Sequence, residues 1–390
     1  MKKVITILLA LVFLLGMLSM TGCGEQKEPA AKTEDVKANE PAPVKPAPAA
    51  EPADAPKDAA EPASKEIPAG LKIGYFVSAL NNGFHQAHAN WAVEYAKTKY
   101  GADVQLFDGK SDANVMSQNF DQAVAQGLDM VSLHNWQGES IKASAKEAIE
   151  NGMIISSYFE LIPDVNIPLV LPGEAAVSEE MGKIAAEQWK KSHPDEPIVF
   201  VQIGWPDNEV VKSGRTDPFA KGVLSVDPTA VNLGCMDGSK GADAAFKLTQ
   251  DLIQANPGLN IIYSEAADLT VGVLPALQQL GRGKAIDGVC QTEILCSVDC
   301  PENELISVFD PTCSLKMSMG LPIKETAEIR IDTMMKVYTG ELKYEDPSYT
   351  TNPIFVPNKM VGYWGMDPEE AVKWYNDQNG TNVVLPNYSK

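Results

Sequence analysis

The feature that most restricts the fold is an alternation of short apolar runs with amphipathic helices, whose first unit is KIGYFVSALNNGF at residues 72–84. Ile73, Tyr75, Phe76 and Val77 suit a buried strand, and Asn82 stands where a helix N-cap is expected. From Phe84 the apolar residues recur at Ala87, Trp91, Ala92 and Tyr95, the spacing of one helix face. Further strands are expected at 102–108, 128–134, 152–159 and 166–172. The helices between them show faces at Met116, Phe120, Ala123 and Val124, then at Ile141, Ala145, Ala148 and Ile149. After Gly173 a helix carrying Met181, Ile184, Ala185 and Trp189 leads into a second series, with strands expected at 197–204, 230–235, 259–264 and 285–290. LISVFD at 305–310 reads as a linking strand, followed by a helix from about Ser314 to Tyr338. This pattern predicts an α/β protein whose parallel sheets are covered by helices on both faces, built twice over in two lobes. Ligands of such sheets bind beyond the carboxyl ends of the strands, so Ser78 to Phe84 would border a binding crevice.

A chain of 390 residues exceeds what one core usually organises. Its start reads as a targeting segment: Lys2 and Lys3 precede an apolar run from Val4 to Leu18, and LSMTGC ends at Cys23. That ending, which closes a segment of residues 1–23, resembles a bacterial lipobox, with Met20 in place of the preferred leucine, and it implies cleavage just before Cys23, whose thiol carries the lipid. Residues 24–68 are rich in Ala, Pro, Glu and Lys, too polar to form a core, and are expected to be an extended tether. The protein is therefore expected to be exported and lipid-anchored at the cell membrane.

The formal net charge of −20 argues against a nucleic-acid partner, which needs basic patches. Cys290, Cys296, Cys300 and Cys313 cluster, but their spacing fits neither a zinc ribbon nor a ferredoxin, so disulfides or buried thiols are expected in place of a metal. No nucleophile elbow, zinc-protease motif or phosphate-binding loop occurs, and GRG at 281–283 follows a helix instead of a strand. A catalytic role and a cofactor are thus not expected.

FVSALNNGF, ADVQLFDGKSD, AQGLDMVSLHN and ENGMIISSYF follow one another in an order similar to the first lobe of the ribose-type periplasmic binding proteins, the type I solute receptors of ATP-driven (ABC) importers. The likeness covers roughly residues 70–345. It implies two Rossmann-like lobes joined by a three-segment hinge, with crossings near 172–176, 309–313 and 352–357. The first lobe would hold 69–174 and 311–352, the second 175–310 and 353–390. By the same resemblance the protein would be a monomer that captures a sugar or other polar ring compound and delivers it to a membrane permease. A receptor of the same fold signalling to a membrane kinase or chemoreceptor is the alternative, and an exported enzyme a more remote one. The residues after about 345 run beyond the usual family ending and are expected to add a strand and a helix.

Carried over position by position, the resemblance places ligand contacts at Ser78, Asn82 and Phe84, and puts His85 where the family has a second aromatic. His134 falls on an asparagine position, with Trp136 adjacent. Phe159 and Glu160 replace an Asp-Arg pair that grips sugar hydroxyls. In the second lobe the implied contacts are Arg215, Cys290 in place of an aspartate, and Asp310 in place of a hinge glutamine. Ala266 and Ala267 replace an Asn-Asp pair, with Glu265 and Asp268 flanking. Together with Trp205, such a pocket favours a ring that is more aromatic, or that carries nitrogen, over a plain sugar.

Overall fold

A computed structural model describes residues 65–134, 138–344 and 353–388, and these residues are built around two six-stranded sheets. The first takes β1 (Lys72–Val77), β2 (Asp103–Asp108), β3 (Met130–His134), β4 (Ile154–Tyr158) and β5 (Leu169–Pro172), in the order β5-β4-β3-β1-β2, every pair parallel. A late strand, β13 (Ile354–Val356), joins the edge beside β5. α1 (Gly83–Tyr100), α2 (Ala113–Ala125) and α3 (Gly138–Glu150) cover its faces. Sequestered between helix layers, the inner strands are buried along nearly their whole length, Ser132, Ser156 and Ser157 included, and lack the alternation of a half-exposed sheet. β1 accordingly buries every residue after Lys72.

Local chemistry sets the helix ends. The Asn82 side chain accepts the His85 N–H at the start of α1, and Gly101 closes that helix in the left-handed region. Asp112 caps α2 in the same way, accepting from the N–H groups of Asn114 and Val115.

The second sheet runs β14-β12-β11-β8-β6-β7. Its strands are β6 (Val199–Gly204), β7 (Val231–Asp237), β8 (Ile261–Ser264), β11 (Ile294–Asp299), β12 (Leu315–Gly320) and β14 (Lys359–Gly362), parallel except for β14 on β12. Around it stand α4 (Glu174–Ser192), the single turn α5 (Glu209–Val211), a π-helical turn (Lys212–Thr216), α6 (Asp217–Val226), α7 (Ala242–Ala255), α8 (Ala267–Gln279) and α9 (Glu302–Phe309). α10 (Ile323–Thr339) returns to the first sheet, where Ala327, Ile331 and Met334 pack with Ile73, Tyr75 and Ala92.

Three expectations are corrected here. AIDGVC at 285–290 is a small hairpin of β9 (Ala285–Ile286) and β10 (Val289–Cys290), and the sheet strand is the following ILCSVD. LISVFD falls mostly within α9. LKMSMG, read as the start of a helix, is the fully buried strand β12, because the sheet offers both its neighbours there. Its Lys316 tolerates burial by donating to the Asp310 carbonyl at 2.7 Å and lying over the Tyr363 ring.

The chain passes between the sheets at Pro172–Glu174, at Leu321–Pro322 and at Pro357–Asn358. The first lies where the sequence placed it, the second comes after 309–313 because β12 intervenes, and the third follows β13 directly. The residues after β14 form α11 (Pro368–Asn379), whose Ala371 and Tyr375 pack into the second-lobe core. None of the described helices is long and apolar enough to cross a membrane. The five cysteines among the described residues are free thiols, four of them buried.

Two of the crossings touch: the Gly173 N–H donates to the Val356 carbonyl at 2.9 Å, and a Cβ on Gly173 would lie 2.6 Å from that oxygen. Gly173→Ala is therefore expected to push the two segments apart and lower stability by about 1–3 kcal/mol, measured by urea unfolding.

Candidate functional site

Both parallel sheets point the carboxyl ends of their strands at one cleft, of about 760 Å³. The loops after β1, β3 and β4 supply one wall, and those after β6, β7, β8 and β11 supply the other. Pro172 and Leu321, from the first and second crossings, line it as well.

The first-lobe wall is mainly aromatic, with Glu160 as its one acidic side chain among the described residues. Phe84 and His85 open α1, His134 ends β3, and Tyr158 and Phe159 end β4. Their rings form a continuous set: His85 to His134 at 5.0 Å, His134 to Phe159 at 5.6 Å, and Phe84 to His88 at 4.8 Å between centroids. Phe159 holds a left-handed backbone (φ 78°), and its N–H donates to the Val170 carbonyl at 3.0 Å. Strain of this kind persists where surrounding structure over-determines it, and it turns this ring toward the cavity.

Arg330 of α10 lies under this wall, fully buried. It donates to Ser132 Oγ, the Ser132 carbonyl and the Phe76 carbonyl at 2.8–3.0 Å, and its guanidinium stands 3.9 Å from the Tyr75 ring centre. The Tyr75 hydroxyl meets His88 Nδ1 at 3.0 Å, and His88 Nε2 meets His85 Nδ1 at 3.2 Å. Burial and the Arg330 charge together push His85 down to about 4, and hold His88 and His134 well below the usual histidine range.

The second-lobe wall is ionic. Arg215, on the π-helical turn, points Nε and Nη2 at the two carboxylate oxygens of Glu174 (2.9 and 2.5 Å), and Nη1 at the Glu265 carbonyl (2.5 Å). Burial alone would lower the guanidinium, but the Glu174 charge overrides it and holds Arg215 above its ordinary range. Asp299, at the end of β11, also has a left-handed backbone (φ 83°) and accepts the Ala267 N–H at 3.1 Å, capping α8 from a neighbouring strand. Burial raises its carboxyl, and the nearby Arg215 offsets part of that. Trp205, Asp207, Asn208 and Asp268 complete the rim.

Of the residues singled out in the sequence, Ser78, Asn82, Phe84, His85, His134, Phe159, Glu160 and Arg215 all line this cavity. Trp136 lies outside the described residues. Cys290 and Asp310 stand elsewhere, and both are corrections. Cys290 is buried in β10 with its Sγ toward the Ser314 carbonyl, and the Asp310 carboxylate accepts from the N–H and hydroxyl of Thr312. Each displacement follows from a misplaced strand: with β11 at ILCSVD in place of AIDGVC the strand-end acid is Asp299, and with β12 at LKMSMG in place of LISVFD the crossing residue beside the cleft is Leu321. Glu174, Tyr158 and Asp299 were not anticipated. The aspartate closing the apolar run ILCSVD was the signal available for the last.

A family model described as periplasmic binding protein domain matches residues 73–342. The chain belongs to that family. Solved structures agree on the fold of this periplasmic binding protein at low identity. One is a Mycobacterium smegmatis protein in complex with β-D-fucofuranose (13% identical, TM-score 0.63, covering 80% of this chain and 97% of that one). A periplasmic ribose ABC transporter protein from Conexibacter woesei is 17% identical, with a TM-score of 0.63 over 80% of this chain and 98% of its own. A Caulobacter myo-inositol binding protein is 15% identical, with a TM-score of 0.62 over 78% and 97%. The family places the protein outside the cytoplasm and among solute-binding proteins, not enzymes.

The neutral histidines generate a pH dependence. Unfolded imidazoles take up protons near pH 6.5, whereas folded His85 stays neutral down to about 4 and His88 well below its ordinary value. Between those values the unfolded chain binds more protons, so the histidine contribution to stability is lost as pH falls through that window. His88→Gln is expected to flatten the slope between about pH 7 and 5, by at most about 1.4 kcal/mol per unit, in urea unfolding at stepped pH. Glu304, pushed up to about 8 by burial, slopes the opposite way in both proteins and cancels in the comparison.

Proposed function

We propose that this periplasmic binding protein is the substrate-capturing component of an ABC importer, taking a sugar or related polar ring compound into the interlobe cleft and presenting it to a membrane permease. The observation that carries the reading is the pairing of two unlike walls: a cluster of edge-on and tilted aromatic rings on one lobe, and hydrogen-bonding carboxylate and amide side chains on the other. Aromatic faces cover the apolar side of a ring, while polar groups satisfy its hydroxyls, each of which would cost about 1–3 kcal/mol if buried without a partner. Closure about the crossings removes the ligand from water. The structural relatives carrying β-D-fucofuranose and myo-inositol support a ligand of this size and polarity. On this reading Cys23 carries the lipid anchor, residues 24–68 are the tether, and the protein works as a monomer.

A thermal-shift screen of sugars, polyols and nucleosides tests it, because a cleft ligand at 100 times its Kd adds about 2.7 kcal/mol of stability. Phe84→Ala and Phe159→Ala are each expected to weaken the ligand so found by about tenfold or more, with unliganded stability little changed. Full affinity in both variants would place the binding site elsewhere.

A further inference from the structure

The charges around the cleft do not balance. Among the described residues that line it, Arg215 alone is cationic, and all its nitrogens are committed to Glu174 and the Glu265 carbonyl. Arg330 is sealed behind the rings of Tyr75 and Tyr158. His85 and His134 are held neutral by their burial over that arginine. Beside them stands Glu160, and across the cleft are Asp207, Glu209, Asp237, Asp268 and Asp299.

Asp299 decides the matter. Its carboxylate lines the cavity at the end of β11, half-buried, and is presented by a left-handed backbone that an aspartate adopts only at a cost. The Ala267 N–H is its hydrogen-bond donor, and it forms no ion pair among the described residues. Burial raises its carboxyl, and Arg215 offsets part of that from nearby without bonding to it. When the lobes close and the remaining water leaves, this carboxylate stays ionised only with a cation partner. The ligand is then the available source of positive charge. The same cavity offers the π faces of Phe84, Phe159 and Trp205, which attract cations as well as covering a ring.

Resting on the reading of this cleft as the ligand site, we infer that its ligand carries a protonated nitrogen: an amino sugar, an aminocyclitol or a comparable cationic ring, set with the nitrogen toward Asp299 and Asp268 and the ring across Phe84 and Phe159. A carboxylate or phosphate ligand would meet no free cation here.

The test uses the full-length protein and matched pairs that exchange one hydroxyl for an amine: D-glucose with D-glucosamine, D-galactose with D-galactosamine, and myo-inositol with a monoamino analogue. At pH 7 the amines are expected to bind at least about tenfold more tightly than their partners, with an affinity that falls as salt rises. Asp299→Asn is expected to abolish the preference, and Asp268→Asn, on an exposed side chain, to reduce it. Asp268→Asn carries the test alone should Asp299→Asn fail to fold. Equal or tighter binding of the hydroxyl members overturns the inference and leaves the sugar-capture reading intact. A preference that survives both substitutions also overturns it. Binding of no compound in either series overturns the inference and the sugar reading together.

Discussion

The bidentate pair of Arg215 with Glu174 ties together parts of the second lobe that no strand or helix joins directly. Glu174 opens α4 immediately after the first crossing, and Arg215 lies in the π-helical turn that leads into α6. Through its third contact, to the Glu265 carbonyl, Arg215 also fixes the loop after β8. A widened helical turn is an uncommon geometry found often at functional sites, and here it brings the guanidinium inward. Removing either partner of such a buried pair leaves an unmatched charge, with a penalty of about 3–5 kcal/mol. The pair thus holds the ionic wall in shape and at the same time removes the cleft's own positive charge.

The first lobe solves a similar problem without a carboxylate. Arg330 donates to the main-chain oxygens of Phe76 in β1 and Ser132 in β3 and to the Ser132 hydroxyl, and it lies against two aromatic faces. Burial first, and the Arg330 charge after it, keep the histidines above it neutral, so the rings of this wall are unionised. The two lobes therefore face the cleft with different physics, one mainly by dispersion and π faces, the other by charge and hydrogen bonds.

The first lobe was largely legible in the sequence because most of its strands are short, mainly apolar runs bounded by turn residues, and its cleft residues follow from where those runs end. Ser78, His134 and Phe159 stand at or next to a strand's carboxyl end, and Phe84 lies in the first turn of the helix after β1. The second lobe was harder to read where its strands are built from Cys, Met and Lys. LKMSMG contains good helix formers and a charge, and only the Asp310 carbonyl and the Tyr363 ring, both brought by tertiary contact, make it a tolerable strand. Two misplaced strands, AIDGVC and LISVFD, shifted the site assignments to Cys290 and Asp310, and the first of them hid Asp299. Arg330 gave no signal at all, since an arginine in mid-helix reads as a solvated residue until the helix is known to be packed on both sides.

The C-terminal helix lies beyond the segment that matches the family and makes one bond out of proportion to its size. α10 begins at Pro322 without a side-chain cap, and the buried Gln378 of α11 fills that role, its Oε1 accepting the Lys324 N–H at 3.1 Å. α11 travels with the second sheet and α10 with the first, so this amide spans the middle crossing like a latch across a door's hinge side. Any swing at Leu321–Pro322 must bend the tail along with it or release that contact. The range of gape between the halves is in this way partly written into residues that never meet the solute.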